Sequence, residues 1–89
     1  MKNPRTKPTK EEAEQMKQVS RFLVNKFGGI SQFCHVFDLK YWTVASWLTR
    51  GRIPAQLAER LHNDERVIKL GVGKHHMRPD IKAWEFENE

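Results

Sequence analysis

The sequence has only one cysteine and no long apolar run, and each of these features excludes some classes of protein. Cys34 cannot form a disulfide within the chain, and one thiol is too few for a cysteine-based zinc cage. No stretch approaches the roughly 20 apolar residues that cross a bilayer, and residues 1–10 lack the apolar segment of a signal peptide. We therefore expect one small cytoplasmic domain of 89 residues, held together by apolar packing.

The residue patterns on which catalysis and metal binding depend are also missing. The sequence has no glycine-rich phosphate loop, no paired carboxylates in an apolar setting and no nucleophile beside a general base. The spacing of its cysteine and histidine residues matches no zinc template. Those residues are Cys34, His35, His62, His75 and His76. We expect no enzymatic activity, no bound metal ion and no cofactor.

Positive charge exceeds negative charge over most of the chain. Sixteen Lys and Arg residues against eleven Asp and Glu residues give a net charge of +5. Residues 1–10 carry four cations, no anion and two prolines, so a flexible basic arm is predicted over residues 1–9. One cation and four anions predict an acidic tail over residues 80–89, which leaves residues 10–79 as the folded domain. The positive charge favours polyanionic partners.

A first helix is predicted over residues 10–27. Thr9 followed by Glu12 is a capping-box pair, in which each residue satisfies a backbone amide of the other. Apolar side chains then recur at steps of three and four residues, on one helical face. They are Ala13, Met16, Val19, Leu23 and Phe27. Gly28 and Gly29 end the helix, because glycine adopts the left-handed conformation at low cost.

Three shorter helices are predicted after this glycine pair. They cover residues 30–37, residues 40–50 and residues 54–62. Gly51 is the natural end of the middle one, and Pro54 suits the first turn of the last, where an amide proton is not needed. Residues 67–70 are compatible with either a further helix or a short strand. Pro79 disfavours helix at the residue before it.

The second and third helices fit a helix-turn-helix, in which two short helices joined by a tight turn place the second in the major groove of DNA. The sharp crossing needs a small side chain in the middle of the first helix, where Cys34 lies. Four residues later the turn usually needs a positive φ angle, which Asp38 tolerates better than most residues. The apolar residues expected to hold the pair together are Phe33, Phe37, Leu39, Val44 and Trp47.

From the glycine pair onwards the sequence resembles the Cro-type repressors of temperate phages, and among them the group that includes the YdaS-like antitoxins. The resemblance covers residues 27–80. It rests on the helix-turn-helix, on the Gly-x-Ile-Pro segment that starts at Gly51, and on the segment HHMRPD, where Met77 replaces the leucine of that group. It implies an all-α, four- to five-helix, lambda-repressor-like domain that binds DNA.

The third helix then has an inner and an outer face. At 100° per residue, Val44, Trp47 and Leu48 point inwards. The outer side chains expected to read the bases are Tyr41, Trp42, Ala45, Ser46 and Thr49, with Lys40 and Thr43 on the flanks. They offer hydroxyl groups and apolar contacts to thymine methyl groups, but not the Arg, Asn or Gln that pairs bidentately with a base.

Phosphate contacts are expected from residues around this reader helix. The candidates are Ser31 and Gln32 at the start of the preceding helix, Arg50 and Arg52 at the end of the reader, and Arg5 and Lys7 in the arm. Backbone amides and the helix dipole favour an anion at the first of these positions. The arm is expected to follow the duplex or to enter a minor groove.

These features predict a sequence-specific transcriptional regulator, a Cro-like repressor of phage or prophage origin that is associated with the nucleoid. It would bind an operator as a homodimer whose interface lies after the fourth helix and uses Val67, Ile68, Leu70 or Trp84, with Phe86 as a further candidate. One alternative is a YdaS-like antitoxin, which would also bind a toxin. Another is a helical protein-interaction module that uses Tyr41 and Trp42. DNA binding would weaken steeply with salt, whereas an aromatic protein interface would not.

Overall fold

Six α-helices make up most of residues 8–81, the part of the chain that the computed structural model describes. They are α1 (Lys10–Lys26), α2 (Ile30–Phe37), α3 (Tyr41–Arg50), α4 (Ala55–Leu61), α5 (Glu65–Ile68) and α6 (Lys74–Met77). This part of the chain contains no strand, as the all-α prediction requires. The helices exceed the expected four or five because α5 and α6 are single turns of four residues. Between residues 8 and 81, no helix combines the length and the apolar character needed to span a membrane.

The start of α1 follows from its capping box. The Oγ1 atom of Thr9 accepts a hydrogen bond from the backbone of Glu12, whose carboxylate accepts one from the backbone of Thr9, each over 3.1 Å. Thr9, expected in the arm, is thus tied to the folded domain. The helix ends at Lys26, one residue before the predicted end, and the chain turns through Gly28 and Gly29 at φ angles of 99° and 104°.

A three-residue turn joins α2 to α3. Asp38 ends α2 in the left-handed conformation, with φ 57° and ψ 55°, which confirms the backbone predicted for this position. The backbone amide of Leu39 donates to the carbonyl oxygen of Cys34 over 2.9 Å and folds the chain back. Gly51 ends α3 at a φ of 83°, also as predicted. The bounds of α2 agree with the sequence, and α3 begins one residue later than expected.

The chain beyond α3 forms shorter elements. Pro54 stands immediately before α4, not in its first turn as expected. Asp64 caps α5 by accepting a hydrogen bond of 2.9 Å from the backbone of Arg66. The sequence left residues 67–70 open between helix and strand. The first two of these residues, Val67 and Ile68, belong to α5. The last helix, α6, stops before Pro79, whose ring disfavours helical backbone at the preceding residue.

An apolar core lies where α1 packs against α2, α3 and α6, α2 against α3, and α4 against α6. Phe33 meets Trp47 edge-on, with ring centroids 5.9 Å apart, while Phe27 lies 5.8 Å from Phe33 and 5.0 Å from Phe37. Such edge-to-face pairs stabilise beyond the area they bury. The small Cys34 is buried among them. Also buried are Leu23, Val24, Val44, Ile53, Ala58, Leu61, Val67, Met77 and Ile81. These contacts fix the orientation of α3 on α2.

The folded domain extends to Ile81, two residues past the boundary expected at Pro79. The Nε and Nη2 atoms of Arg78 donate to the two carboxylate oxygens of Asp80 over 2.9 and 2.7 Å, and its Nη1 donates to the carbonyl of Ile53 over 3.1 Å. Burial raises the pKa of Asp80, but the hydrogen bonds and charge of Arg78 outweigh it and hold the pKa below its usual value. Asp80 is therefore a buried residue of the domain, and the rest of the predicted tail lies outside the described residues.

The residues expected at the dimer interface differ in their exposure. The prediction that Val67 contacts a partner subunit is wrong, because Val67 is 0% exposed and belongs to the core. Leu70 is partly buried against that core. Ile68 is 55% exposed and can still contact a partner. Trp84 and Phe86 lie outside the described residues.

Candidate functional site

The first turn of α3 carries the two most exposed large aromatic side chains of residues 8–81. Trp42 is 75% exposed and Tyr41 is 51% exposed. On the opposite face Val44 and Trp47 are 0% and 2% exposed and pack in the core. The inner and outer faces predicted for these four residues are confirmed. An exposed tryptophan of this kind is unusual enough to indicate a contact surface.

The other outer positions of α3 differ in what they can offer. Lys40, Thr43, Ser46 and Thr49 are exposed. Ala45 is only partly exposed, so its methyl group is less accessible than the other outer side chains. The hydroxyl of Thr49 donates to the carbonyl oxygen of Ala45 over 2.9 Å. Its proton is thus engaged within the helix, and only its oxygen lone pairs remain for a base contact.

An open groove of about 380 Å³ lies along one side of α3, between its outer face and Pro54, and we call it the α3 groove. It is lined by Trp42, Thr43, Ser46, Trp47, Arg50 and Pro54. The Nη2 atom of Arg50 donates to the Oγ atom of Ser46 over 2.8 Å. Arg50, predicted as a phosphate contact beyond the reader, is therefore folded back beside a residue predicted to read bases.

A second groove, of about 580 Å³, lies between α1 and the end of α3, and we call it the basic groove. Five cationic side chains line it, namely Lys10, Lys17, Arg21, Arg50 and Arg52. Glu14 is the one acidic residue of this lining. A Cβ atom added at Gly51 would lie 3.8 Å from the Cβ of Lys17, which shows how closely α1 approaches the end of α3. The groove can hold an anion such as a phosphate group.

Two of these cations, Lys17 and Arg21, were not predicted as site residues. The signal that identifies them is their spacing. Lys10, Lys17 and Arg21 are seven and four residues apart, which puts all three on one face of α1. That face becomes part of a site only once α1 is known to pack beside the end of α3.

The start of α2 is a second place that favours an anion. Gly29 precedes the helix and provides no side-chain cap. The first backbone amides of α2 therefore remain free of a capping side chain, and the positive end of the helix dipole lies there. Ser31 and Gln32 are exposed in this first turn, as the prediction of phosphate contacts requires of them.

Three other arginines are committed to internal contacts. Arg66 binds the carboxylate of Asp64 through hydrogen bonds of 2.9 and 2.7 Å, which lower the pKa of Asp64 to about 2, and it also lies 4.9 Å from the ring centroid of Phe37. Arg60 donates to the carbonyl oxygen of Phe37. Arg78 holds Asp80. These three arginines contribute to the contacts within the domain.

The segment that contains α3 carries charge of one sign. Between Lys40 and Arg52 every charged side chain is cationic. Arg52 is exposed, as a phosphate contact must be. Arg5 and Lys7, the candidates in the arm, lie outside the described residues. Within residues 8–81, therefore, the structure brings the reader candidates and the cations of the basic groove to adjoining surfaces, since Arg50 borders both grooves.

The cysteine and histidine residues form no metal-binding cluster in the described part of the chain. Cys34 is 7% exposed, and its burial raises the pKa of the thiol, which disfavours the reactive thiolate. Among residues 8–81, no three His, Cys, Asp or Glu side chains converge on a point where a metal ion could be held. The residues of α3 and its two grooves offer a ligand positive charge, hydroxyl groups and aromatic surface.

Comparison with known proteins was negative. No family model matches the chain, and neither the curated proteins nor the solved structures contain a significant match. The geometry and chemistry of α3 and its two grooves are thus the basis for a function.

Proposed function

We propose that this chain binds double-stranded DNA sequence-specifically through α3 and represses transcription by occupying an operator. The α2–α3 pair is then a helix-turn-helix, and the domain is lambda-repressor-like. One observation carries the proposal: Tyr41 and Trp42 are exposed on a helix whose neighbouring charges, from Lys40 to Arg52, are all positive. Exposed aromatic surface among cations suits a ligand that combines base edges with phosphate groups.

The dimensions of helix and groove support this assignment. An α-helix with its side chains is about 10–12 Å across, and the major groove of DNA is about 12 Å wide. Tyr41, Thr43 and Ser46 would then present hydroxyl groups to base edges. Trp42 would pack on thymine methyl groups, which are the apolar feature of that groove.

Two groups of phosphate contacts would fix the helix on the duplex. One is the start of α2, where Ser31 and Gln32 are exposed beside backbone amides that have no capping side chain. The other is the basic groove, where Lys17, Arg21 and Arg52 lie beyond the end of α3. Contacts of this kind set register and affinity but carry no sequence information.

The operator-bound form is proposed to be a homodimer. One reader helix contacts only a few base pairs, so such domains combine two half-sites about 34 Å apart. Among the described residues of the expected interface, Ile68 is the exposed apolar one, 55% exposed at the end of α5. A pseudo-palindromic site follows from this two-fold arrangement.

The test is selection of the full chain on random double-stranded DNA, followed by footprinting and a salt titration on the selected site. We expect a pseudo-palindromic sequence and a steep fall of affinity with salt. Arg52→Ala should make the slope of log affinity against log salt shallower by about 0.9 if one phosphate contact is lost. Lys69→Ala removes the same charge at an exposed position outside both grooves and should leave the slope unchanged. Failure to enrich any sequence would refute the proposal.

The exposure of Tyr41 and Trp42 also favours a second candidate, a helical module that binds another protein through these rings. Binding to an apolar protein surface depends little on salt, because it releases no counterions. A partner bound at high salt and lost in Trp42→Ala, together with no selected DNA sequence, would favour this candidate over DNA binding.

A further inference from the structure

The side chain of Arg50 has a defined direction. Arg50 is the last residue of α3, yet its Nη2 atom lies 2.8 Å from the Oγ atom of Ser46, one helical turn earlier. Arg50 borders both grooves, whereas Ser46 borders only the α3 groove. The hydrogen bond therefore places the Nη2 atom of Arg50 beside Ser46 in the α3 groove, although the residue also borders the basic groove.

The guanidinium in this position has donors to spare. An arginine side chain has five N–H groups in a fixed planar arrangement, and Ser46 accepts one of them. The O6 and N7 atoms of guanine, both acceptors on the major-groove edge, match two parallel N–H groups of arginine. Hydroxyl groups alone cannot make this bidentate contact. Lys40, the other cation beside the outer face, presents a point charge and not a planar pair of donors.

We infer that Arg50 reads a guanine in the major groove and that Ser46 is its positioning residue. This inference rests on the proposed function and names the base that the site recognises. It replaces the phosphate role that the sequence suggests for Arg50. The phosphate contacts at this end of α3 fall to Arg52, Lys17 and Arg21, which line the basic groove but not the α3 groove.

Trp42 and Pro54 border the same groove as Arg50 and Ser46. Ser46 accepts from Arg50, so its own proton remains able to donate to a base or a phosphate. A guanidinium held before binding loses less side-chain freedom when the complex forms.

The experiment compares Arg50→Lys, Arg50→Ala and Arg52→Ala on the selected operator and on every single-base variant of one half-site. Lysine keeps the charge but loses the planar bidentate donor set. Arg50→Lys should therefore reduce the preference for guanine at one position by about 5- to 150-fold and leave the preferences at the other positions unchanged. Arg52→Ala should weaken all sites by the same factor, as the loss of a phosphate contact does.

The role of Ser46 is tested at the same position. Ser46→Ala should lower the preference for that guanine and no other base, and Ser46→Thr, which keeps the hydroxyl, should restore it. A general effect on folding would instead weaken all sites and lower the melting temperature, so thermal unfolding of each variant is the control.

Two results overturn the inference while DNA binding stands. One is an Arg50→Lys variant that retains the full guanine preference at every position. The other is an Arg50→Ala variant that weakens all sites equally and makes the salt slope shallower, as a phosphate contact would. Absence of any selected sequence for the unaltered chain would refute the proposed function, and the guanine assignment with it.

Discussion

Replacement of Asp80 by asparagine should severely destabilise the domain. Asp80 is 2% exposed and Arg78 is 4% exposed, and the two side chains share hydrogen bonds of 2.9 and 2.7 Å. Asparagine has nearly the same shape but carries no charge. Asp80→Asn would therefore leave the guanidinium of Arg78 buried without its counter-charge.

The size of the effect follows from the burial of both partners. Removing one member of a buried ion pair costs about 3–5 kcal/mol, because the other charge stays desolvated and unpaired. A domain of this length has a total unfolding free energy of about 4–13 kcal/mol. The loss therefore takes a large part of the stability, and at about 4–8 °C per kcal/mol the melting temperature falls by at least about 12 °C.

The effect should depend on pH in one direction. The pKa of Asp80 is lower in the folded state than the value of about 3.9 in an unfolded chain. A carboxyl group with a lowered folded pKa stabilises fully above its unfolded pKa, and this contribution disappears as the pH falls through the folded pKa. The difference between parent and Asp80→Asn should thus be constant near neutral pH and shrink below about pH 4. Asp64, whose pKa is also lowered, titrates in both proteins and cancels from the difference.

The assay is urea unfolding followed by far-UV circular dichroism at several pH values. The matched control is the double variant Arg78→Met with Asp80→Leu, which removes both charges together. It should recover part of the loss, because apolar replacement of a buried pair is often neutral or stabilising. Recovery is incomplete because the carbonyl of Ile53 loses the hydrogen bond from Arg78, at a cost of about 1–3 kcal/mol. A loss below about 1 kcal/mol in Asp80→Asn would contradict the burial of this pair.

Three further changes test the reader, the arm and the first cap. Tyr41→Ala should lower the preference for the selected site by about 1–3 kcal/mol and barely change thermal stability, because the ring is 51% exposed; unchanged preference would place the reading surface elsewhere. Deletion of residues 1–7 removes three cations but leaves Thr9 and Glu12 in place, so stability should hold while the salt slope becomes shallower by about 0.9 per lost phosphate contact; an unchanged slope would mean that the arm contacts no phosphate. Thr9→Ala should cost about 1 kcal/mol in urea unfolding, and a negligible loss would show that the cap contributes nothing.

Much of the fold could be predicted where the local sequence determines the backbone. The two ends of α1 follow from local signals. The capping box of Thr9 and Glu12 starts the helix, and Gly28 and Gly29 end it, because each signal depends only on residues close to it in the sequence. Asp38 could be placed in the left-handed region, since few residues other than glycine tolerate it. The period of 3.6 residues also separated buried Val44 from exposed Trp42.

The remaining features depend on contacts between distant parts of the chain. In the sequence, Asp80 resembles the first acidic residue of a charged tail. Its burial depends on Arg78, which binds Asp80 and also donates to the carbonyl of Ile53. Val67 is apolar, and apolar residues occupy both domain cores and the centres of interfaces, so nothing in the local pattern distinguishes a core position from a dimer contact. Lys17 and Arg21 are ordinary exposed cations until α1 is packed beside the end of α3.

The direction of Arg50 leads to a prediction about the spacing of the operator bases. A helix rises 1.5 Å per residue, so a guanidinium held at Ser46 lies about 6 Å along α3 from Trp42, whereas at its own position it would lie about 12 Å away. Successive base pairs are about 3.4 Å apart. If α3 lies along the groove, a guanine read by Arg50 should lie about two base pairs from a thymine contacted by Trp42. Selection with Trp42→Ala should relax the thymine position alone, and selection with Arg50→Lys the guanine position alone. A separation of four base pairs would mean that Arg50 releases Ser46 and extends when it binds.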